Sequence, residues 1–196
     1  MEYCMSTVIV DELIGRAEND YVIGVAAGTL MKVPGTVIQC VWNMTDVIAT
    51  YATNADNVSR EISILNTAIT PKYSDSEIWM DIFLFYESSN DITFQILRNG
   101  SITNTTGYIG YNTQVGNVQY SGVTGARYDQ DRSSTPDWLH IKFVDRPGST
   151  ATWTYGIGAR YASNSNDSIR VNKSWNNYWG DYEKGVSMFV LREIAR

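Results

Sequence analysis

The sequence predicts an all-β chain: an antiparallel β-sandwich, jelly-roll-like, preceded by a short extended segment. Three observations carry the prediction. Several stretches alternate side chains with period 2, the spacing that puts successive residues on opposite faces of a strand. No stretch sustains helical spacing over the roughly 10 to 14 residues of an ordinary helix. Polar turn clusters separate the stretches, and many short strands joined by such turns build two packed antiparallel sheets. The texture changes at Pro34-Gly35, which divides the chain into an N-terminal segment, 1–35, and a sandwich domain, 36–196.

Residues 1–35 carry small hydrophobics and glycines and read as short extended pieces joined by turns. Thr36 to Trp42 is rich in β-branched residues and opens the sandwich, and Glu61 to Thr70 reads as one strand stopping at Pro71. Glu77 to Tyr86 follows a Ser-Asp-Ser turn cluster. Its residues Ile78, Met80, Ile82 and Leu84 share one face, while Trp79, Asp81, Phe83 and Phe85 share the other, mixed face, which meets a second sheet or another subunit. Ile92 to Arg98 runs into Asn99-Gly100, the strongest short hairpin signal, so a return strand is expected from Ser101. Trp138 to Val144 sets Leu139, Ile141 and Phe143 against Trp138, His140 and Lys142. In Ala151 to Tyr161 the inward set is Trp153, Tyr155, Ile157, Ala159 and Tyr161, with Thr152, Thr154, Gly156, Gly158 and Arg160 opposite. Val186 to Ile194 closes the chain as a strand covered on both faces.

Composition excludes several classes of function. Charged residues make up 18% of the chain, against roughly 25% in ordinary domains, so Ser, Thr and Asn must supply the polar surface. The net charge is −6 and the 15 basic residues are scattered, which argues against a nucleic-acid partner and against a basic membrane-binding patch. No apolar run approaches the roughly 20 residues that span a bilayer, and the N-terminus lacks the pattern of a signal peptide. Cys4 and Cys40 stand far apart with no Cys-x-x-Cys, and read as two reduced thiols.

Little in the sequence speaks for chemistry. The single histidine, His140, sits by alternation beside Trp138 and Lys142 at a surface or subunit contact, and no Gly-x-Ser-x-Gly, His-Glu-x-x-His or phosphate loop accompanies it. The chain is therefore read as non-enzymatic and without a cofactor. Asp129, Asp131 and Asp137, with Ser133 and Thr135 between them, superficially resemble a calcium loop. An EF-hand needs Gly at its sixth position and Glu at its twelfth, where this chain has Ser134 and His140, so only a looser calcium site is open and a solvated turn is the plainer reading. Trp175, Asn177, Tyr178, Trp179 and Tyr182 form an aromatic-amide segment of the kind that stacks on sugar rings and bonds their hydroxyls, which makes them the glycan-binding candidates. The competing reading is that Trp175 and Trp179 cap the sandwich or fill a subunit interface, the commoner fate of large aromatics. Asn-x-Ser/Thr triplets at Asn43, Asn57, Asn104, Asn166 and Asn172 are expected by chance in a chain of this composition.

A series of short blocks, in order, resembles the small β-sandwich tail-fibre and virion structural proteins of bacteriophages, notably those of cyanobacterial phages. The blocks are Val10-Asp11-Glu12-Leu13-Ile14 with Val25 to Leu30; Pro34-Gly35-Thr36-Val37-Ile38-Gln39; Ile69-Thr70-Pro71-Lys72 with Ser74, Ser76 and Ile78; Leu97 to Ser101; Val144-Asp145-Arg146-Pro147 with Thr152 to Tyr155; and Val171 to Ser174 with Gly185 to Ser187 and Glu193-Ile194. Departures occur at Arg146, Gly148 and the Asn-, Trp- and Tyr-rich segment Ser163 to Glu183, which are expected in loops. The resemblance implies a homotrimeric virion component assembled in the host cytoplasm. Residues 1–35 would attach to other virion proteins or intertwine, with Val10, Leu13, Val25 and Leu30 in that contact and Trp79, Phe83 and Phe85 between subunits. The sandwich would be displayed towards host glycans. Two other functions compete: a capsid decoration or cement protein, and a free carbohydrate-binding module.

Overall fold

The computed structural model describes residues 32–53, 59–89, 92–99, 108–109, 135–161, 167–175 and 183–196. Its strands belong to the compact unit Val33–Arg196. In chain order they are β1 (Val37–Thr45), β2 (Ala49–Thr53), β3 (Arg60–Glu61), β4 (Thr67–Ile69), β5 (Glu77–Glu87), β6 (Ile92–Arg98), β7 (Tyr108–Ile109), β8 (Asp137–Asp145), β9 (Trp153–Tyr161), β10 (Asp167–Val171) and β11 (Ser187–Ile194). Among the described residues the single helical piece is one 3₁₀ turn, Ser63–Leu65, between β3 and β4.

β5 organises the first sheet. One of its edges pairs antiparallel with β11 along Glu77–Phe83 and then with β10 at Tyr86 and Glu87, while the other pairs with β8. β1 lies along β11 and β2 along β10, so β10 and β11 run end to end, as do β1 and β2. In the second sheet β3 and β4 run end to end along one edge of β9, β6 takes the other edge, and β7 pairs with β6. Counting each such line once gives eight strands among the described residues, ordered 1-8-3-6 in the β5 sheet and 2-7-4-5 in the β9 sheet. Every connection except the fourth to fifth crosses between the sheets. This is the connectivity of a double-sheet jelly roll, the fold class that the alternating pattern predicts.

The core lies between the sheets. Ile78, Met80, Ile82 and Leu84 of β5, Phe189 and Leu191 of β11 and Ile141 of β8 meet Phe94 and Ile96 of β6 and Tyr155, Ile157 and Ala159 of β9. Each such side chain contributes roughly 1.5 to 3 kcal/mol when fully buried, and a one-residue slip would turn the whole set outward, so this face fixes the register. A polar clamp joins the sheets at one end. Asp145, closing β8, accepts from Arg98 Nη1 at 3.2 and 2.9 Å and from the Tyr155 hydroxyl at 2.6 Å. Burial, and then the Asp145 carboxylate, hold the Tyr155 phenol far above its ordinary range.

Several expectations are corrected. Residues 61–70 are not one strand. Ile62 and Leu65 are both buried in the core, three residues apart, because the 3₁₀ turn between them brings i and i+3 to one side. The tight hairpin at Asn99-Gly100 is replaced by a longer connection, since Leu97 pairs with Tyr108. Asn99, with φ of 46°, instead bonds β9: its N–H donates to Thr154 O and its Oδ1 accepts from Thr154 N, both at 2.7 Å. On the side of β9 opposite its inward set, Gly156, Gly158 and Arg160 are buried too, and the side chains of Asn66 and Ser59 occupy the space that Cβ atoms would fill at the two glycines. Within Ser163 to Glu183, where the sequence predicts loop, Asp167–Val171 is a strand pairing with both β2 and β5. The side chain of Tyr161 lies outside the described residues.

Candidate functional site

The outward alternation of four neighbouring strands builds the most distinctive surface of the domain. In β1 the outward residues are Cys40, Trp42 and Met44, and the register carries them across the sheet in rows. Cys40 is followed by Arg192, Trp79 and Val144; Trp42 by Val190, Asp81 and Lys142; Met44 by Met188, Phe83 and His140. Trp42 is 66% exposed, Met44 64%, Trp138 60% and Trp79 47%. Large exposed apolar side chains thus cluster on one sheet face, interleaved with Arg192, Asp81, Lys142 and His140, rather than standing singly.

Charge is confined to two places on this face. Asp81 accepts from Arg192 Nη1, with His140 Nε2 at 3.5 Å and Lys142 Nζ at 3.9 Å. Burial opposes the Asp81 charge, but the Arg192 guanidinium outweighs it and holds the carboxyl below its ordinary range. Glu77 accepts from Trp79 Nε1 at 2.9 Å and from Arg146 Nη2 at 2.7 Å, and these bonds, Trp79 first, lower its pKa as well. The His140 ring lies flat on Phe83, with centroids 4.2 Å apart and planes 14° apart. An open hollow of about 700 Å³ is lined by Val37, Trp79, Val144, Lys142 and Arg192, together with Asp81, whose carboxylate is paired with Arg192.

A second constellation sits where β5 ends. Glu87 is buried, and its carboxylate accepts from Thr135 N at 3.2 Å and from Trp175 N. One side chain thus gathers the flanks of the two segments that the sequence singles out, the acidic run ending at Asp137 and the aromatic run beginning at Trp175. Burial raises the Glu87 pKa against those two N–H donors. The Trp175 indole is half-buried with the Arg170 guanidinium 4.2 Å from its ring centroid, so one ring face is already occupied.

No family model matches the chain, and no curated protein matches it. The resemblance to phage fibre proteins therefore rests on the residue blocks. Among solved structures the chain is similar to infectious bursal disease virus of the Gx strain at 10% identity and a TM-score of 0.37, over 89% of this chain and 42% of that one. It is similar to the Gt strain at 9% and 0.39, over 89% and 42%. A third is the infectious bursal disease virus VP2 subviral particle, at 10% and 0.37, over 89% and 41%. The chain spans about two fifths of the length of these solved chains, and at such scores the likeness carries nothing about what it does.

The structure places the site residues expected from sequence as follows. Trp79 is exposed and Phe83 half-buried on the open face, but Phe85 is buried within its own domain, edge-on to Trp138 at 5.2 Å, with Gly185 against its ring. Asp137 begins β8 and its Oδ1 accepts from Trp138 N at 3.1 Å. Asp129 and Asp131 of the calcium candidate lie outside the described residues, as do Asn177, Tyr178, Trp179 and Tyr182 of the glycan candidate and Val10, Leu13, Val25 and Leu30. Among the described residues no group of three or more His, Cys, Asp or Glu could hold a metal ion. Sequence reasoning passed over Trp42 and Met44, although continuing the alternation of Thr36 to Trp42 into Asn43-Met44-Thr45 would have found them. It also passed over Glu87, which carries no motif.

Proposed function

We propose that this chain is a non-enzymatic structural protein of a virus particle, a trimeric fibre- or spike-like component that attaches through its N-terminal segment and displays the jelly roll. The observation that carries the reading is the open, tryptophan-rich face of the β5 sheet on a jelly roll, a fold used by viral capsid and lectin domains alike. An apolar sheet left uncovered in a chain with 18% charged residues suits a subunit whose surfaces are meant to meet other surfaces. The ordered blocks that resemble those of phage fibre proteins support the same class, and host glycan recognition at the Trp175 end belongs to this reading.

Immunogold electron microscopy of purified particles tests it. Label on tail fibres is the expected result. Label on the head shell would replace the fibre with a decoration or cement protein, and a particle free of label would overturn the proposal.

A further inference from the structure

We infer that the open face of the β5 sheet is covered by a second copy of this chain, docked head to tail with its Asp46-Val47 bend in the hollow beside Trp79, Lys142 and Arg192. The inference names the partner of the face on which the proposed function rests. Side by side, β1, β11, β5 and β8 span about 20 by 25 Å, at roughly 4.8 Å between strands and 3.3 Å per residue. Side chains roughen that area towards the ~800 Å² that each partner gives to a standard interface.

Charge selects the occupant. On and beside the face Arg192, Lys142, Arg146 and Arg196 surround Asp81 and Glu77. The cations stand outermost, the Lys142 side chain being 76% exposed where that of Asp81 is 19% exposed. The face is positive in a chain whose net charge is −6, so the remainder of another copy is its electrostatic complement. Two such faces packed about a two-fold axis would oppose cation to cation.

The hollow asks for an apolar side chain beside a carboxylate. Away from this face, the exposed large apolar residues among those described are Val33, Val47 and Val186. Of these, Val47 alone has an acid next to it in sequence, the exposed Asp46. The bend that carries both is held in place: Val47 N donates to Thr45 Oγ1 at 3.1 Å, and the Asn172 amide donates to Thr45 O at 2.9 Å and Val47 O at 3.0 Å. Val37 lines the hollow at one end of β1 and Asp46 follows Thr45 at the other, about 30 Å along the strand. The contact therefore joins two different patches and repeats head to tail, closing into a ring where its rotation allows.

Sedimentation velocity on the full chain tests this. Self-association at micromolar concentration is expected, and raising NaCl from about 0.05 to about 0.5 M should weaken it several-fold as opposite charges are screened. Asp46→Lys and Lys142→Glu, both at exposed positions, should each raise the dissociation constant about tenfold. The double variant, or an equimolar mixture of the two single variants, should recover association to within about threefold. A chain monomeric at about 100 μM, association that strengthens with salt, or folded double variants that do not recover would each overturn the inference. Particle labelling and self-association are independent readouts: a labelled particle with a monomeric chain would leave the virion reading standing and remove this one, and the converse would do the opposite.

Discussion

Asn172 shows what one residue does where two strands share a line. It stands between β10 and β11 with φ of 61°, fully buried, and its N–H donates to Phe85 O at 3.0 Å. Its amide donates to Thr45 O and Val47 O, and its Oδ1 accepts from the Ser187 hydroxyl at 2.6 Å. Asn tolerates the left-handed region better than other side chains, and here it also replaces the ladder that breaks between β10 and β11. Asn172→Ala should cost about 3 kcal/mol, from orphaned carbonyls and backbone strain, and Asn172→Gly should recover about 1 kcal/mol of it; urea midpoints measure both. In the sequence Asn172 reads as part of a chance Asn-x-Ser triplet and of the Val171 to Ser174 block, neither of which marks it as buried, because burial is not written in a tripeptide. Glu193 is a second such residue. Burial opposes its charge, but Lys72 N at 2.8 Å, Tyr73 N at 3.0 Å and Gln39 Nε2 at 2.6 Å outweigh it and depress its pKa. A depressed carboxylate stabilises the fold above its unfolded pKa, and that stability is lost as pH falls through the lower folded value. Glu193→Gln should therefore flatten the acid side of the stability profile measured by urea unfolding from pH 6 to pH 3. Glu87 works in the opposite sense, since its raised pKa makes its charge a cost at neutral pH that disappears on acidification.

At the scale of elements, strands with one clean apolar face were legible and interrupted ones were not. β5, β6 and β8 appear within a residue or two of their expected bounds, since each carries the period-2 pattern that the core enforces, and β11 does so as a largely apolar run covered on both faces. β2 and β10 are short, and Ala49–Thr53 offers Tyr51 as its one large side chain, so alternation had almost nothing to act on. The β3-to-β4 stretch kept its apolar residues but changed period from two to three at the 3₁₀ turn. Alternation with Trp79 and Phe83 puts Phe85 on the mixed face, but the segment returning to β11 covers it in its own chain. A Cβ at Gly185 would collide with the Phe85 ring. Gly185→Ala should cost about 1 to 3 kcal/mol by overpacking, seen as a lowered thermal midpoint, and should shift the near-ultraviolet circular dichroism of the Phe85–Trp138 pair.

For the whole molecule the deciding feature is that the last strand is interior. β11 lies between β1 and β5, and Val37 pairs with Ile194 across nearly the full described chain. Deleting residues 187–196 should abolish the cooperative thermal transition, because β1 and β5 both lose their neighbour. Pairing this distant in sequence also predicts refolding on the millisecond-to-second scale after a stopped-flow urea jump, and complete refolding within about 100 μs would contradict it. The low content of charged residues acquires a location at this scale: on the β5 sheet, charge gathers at Asp81 and Glu77 and leaves the tryptophans around them open.

Alternation with period 2, the absence of helical spacing and the polar turn clusters were enough to determine an all-β sandwich and the inward residues of its long strands, because burial on one face acts locally along each strand. The tertiary structure alone decided the jelly-roll order, the end-to-end strands and the residues that close their gaps, since these depend on contacts between positions far apart in sequence. It also decided that Trp42, Met44, Trp79 and Trp138 lie on one face. Each is set outward by its own strand, and only register across β1, β11, β5 and β8 makes them a surface.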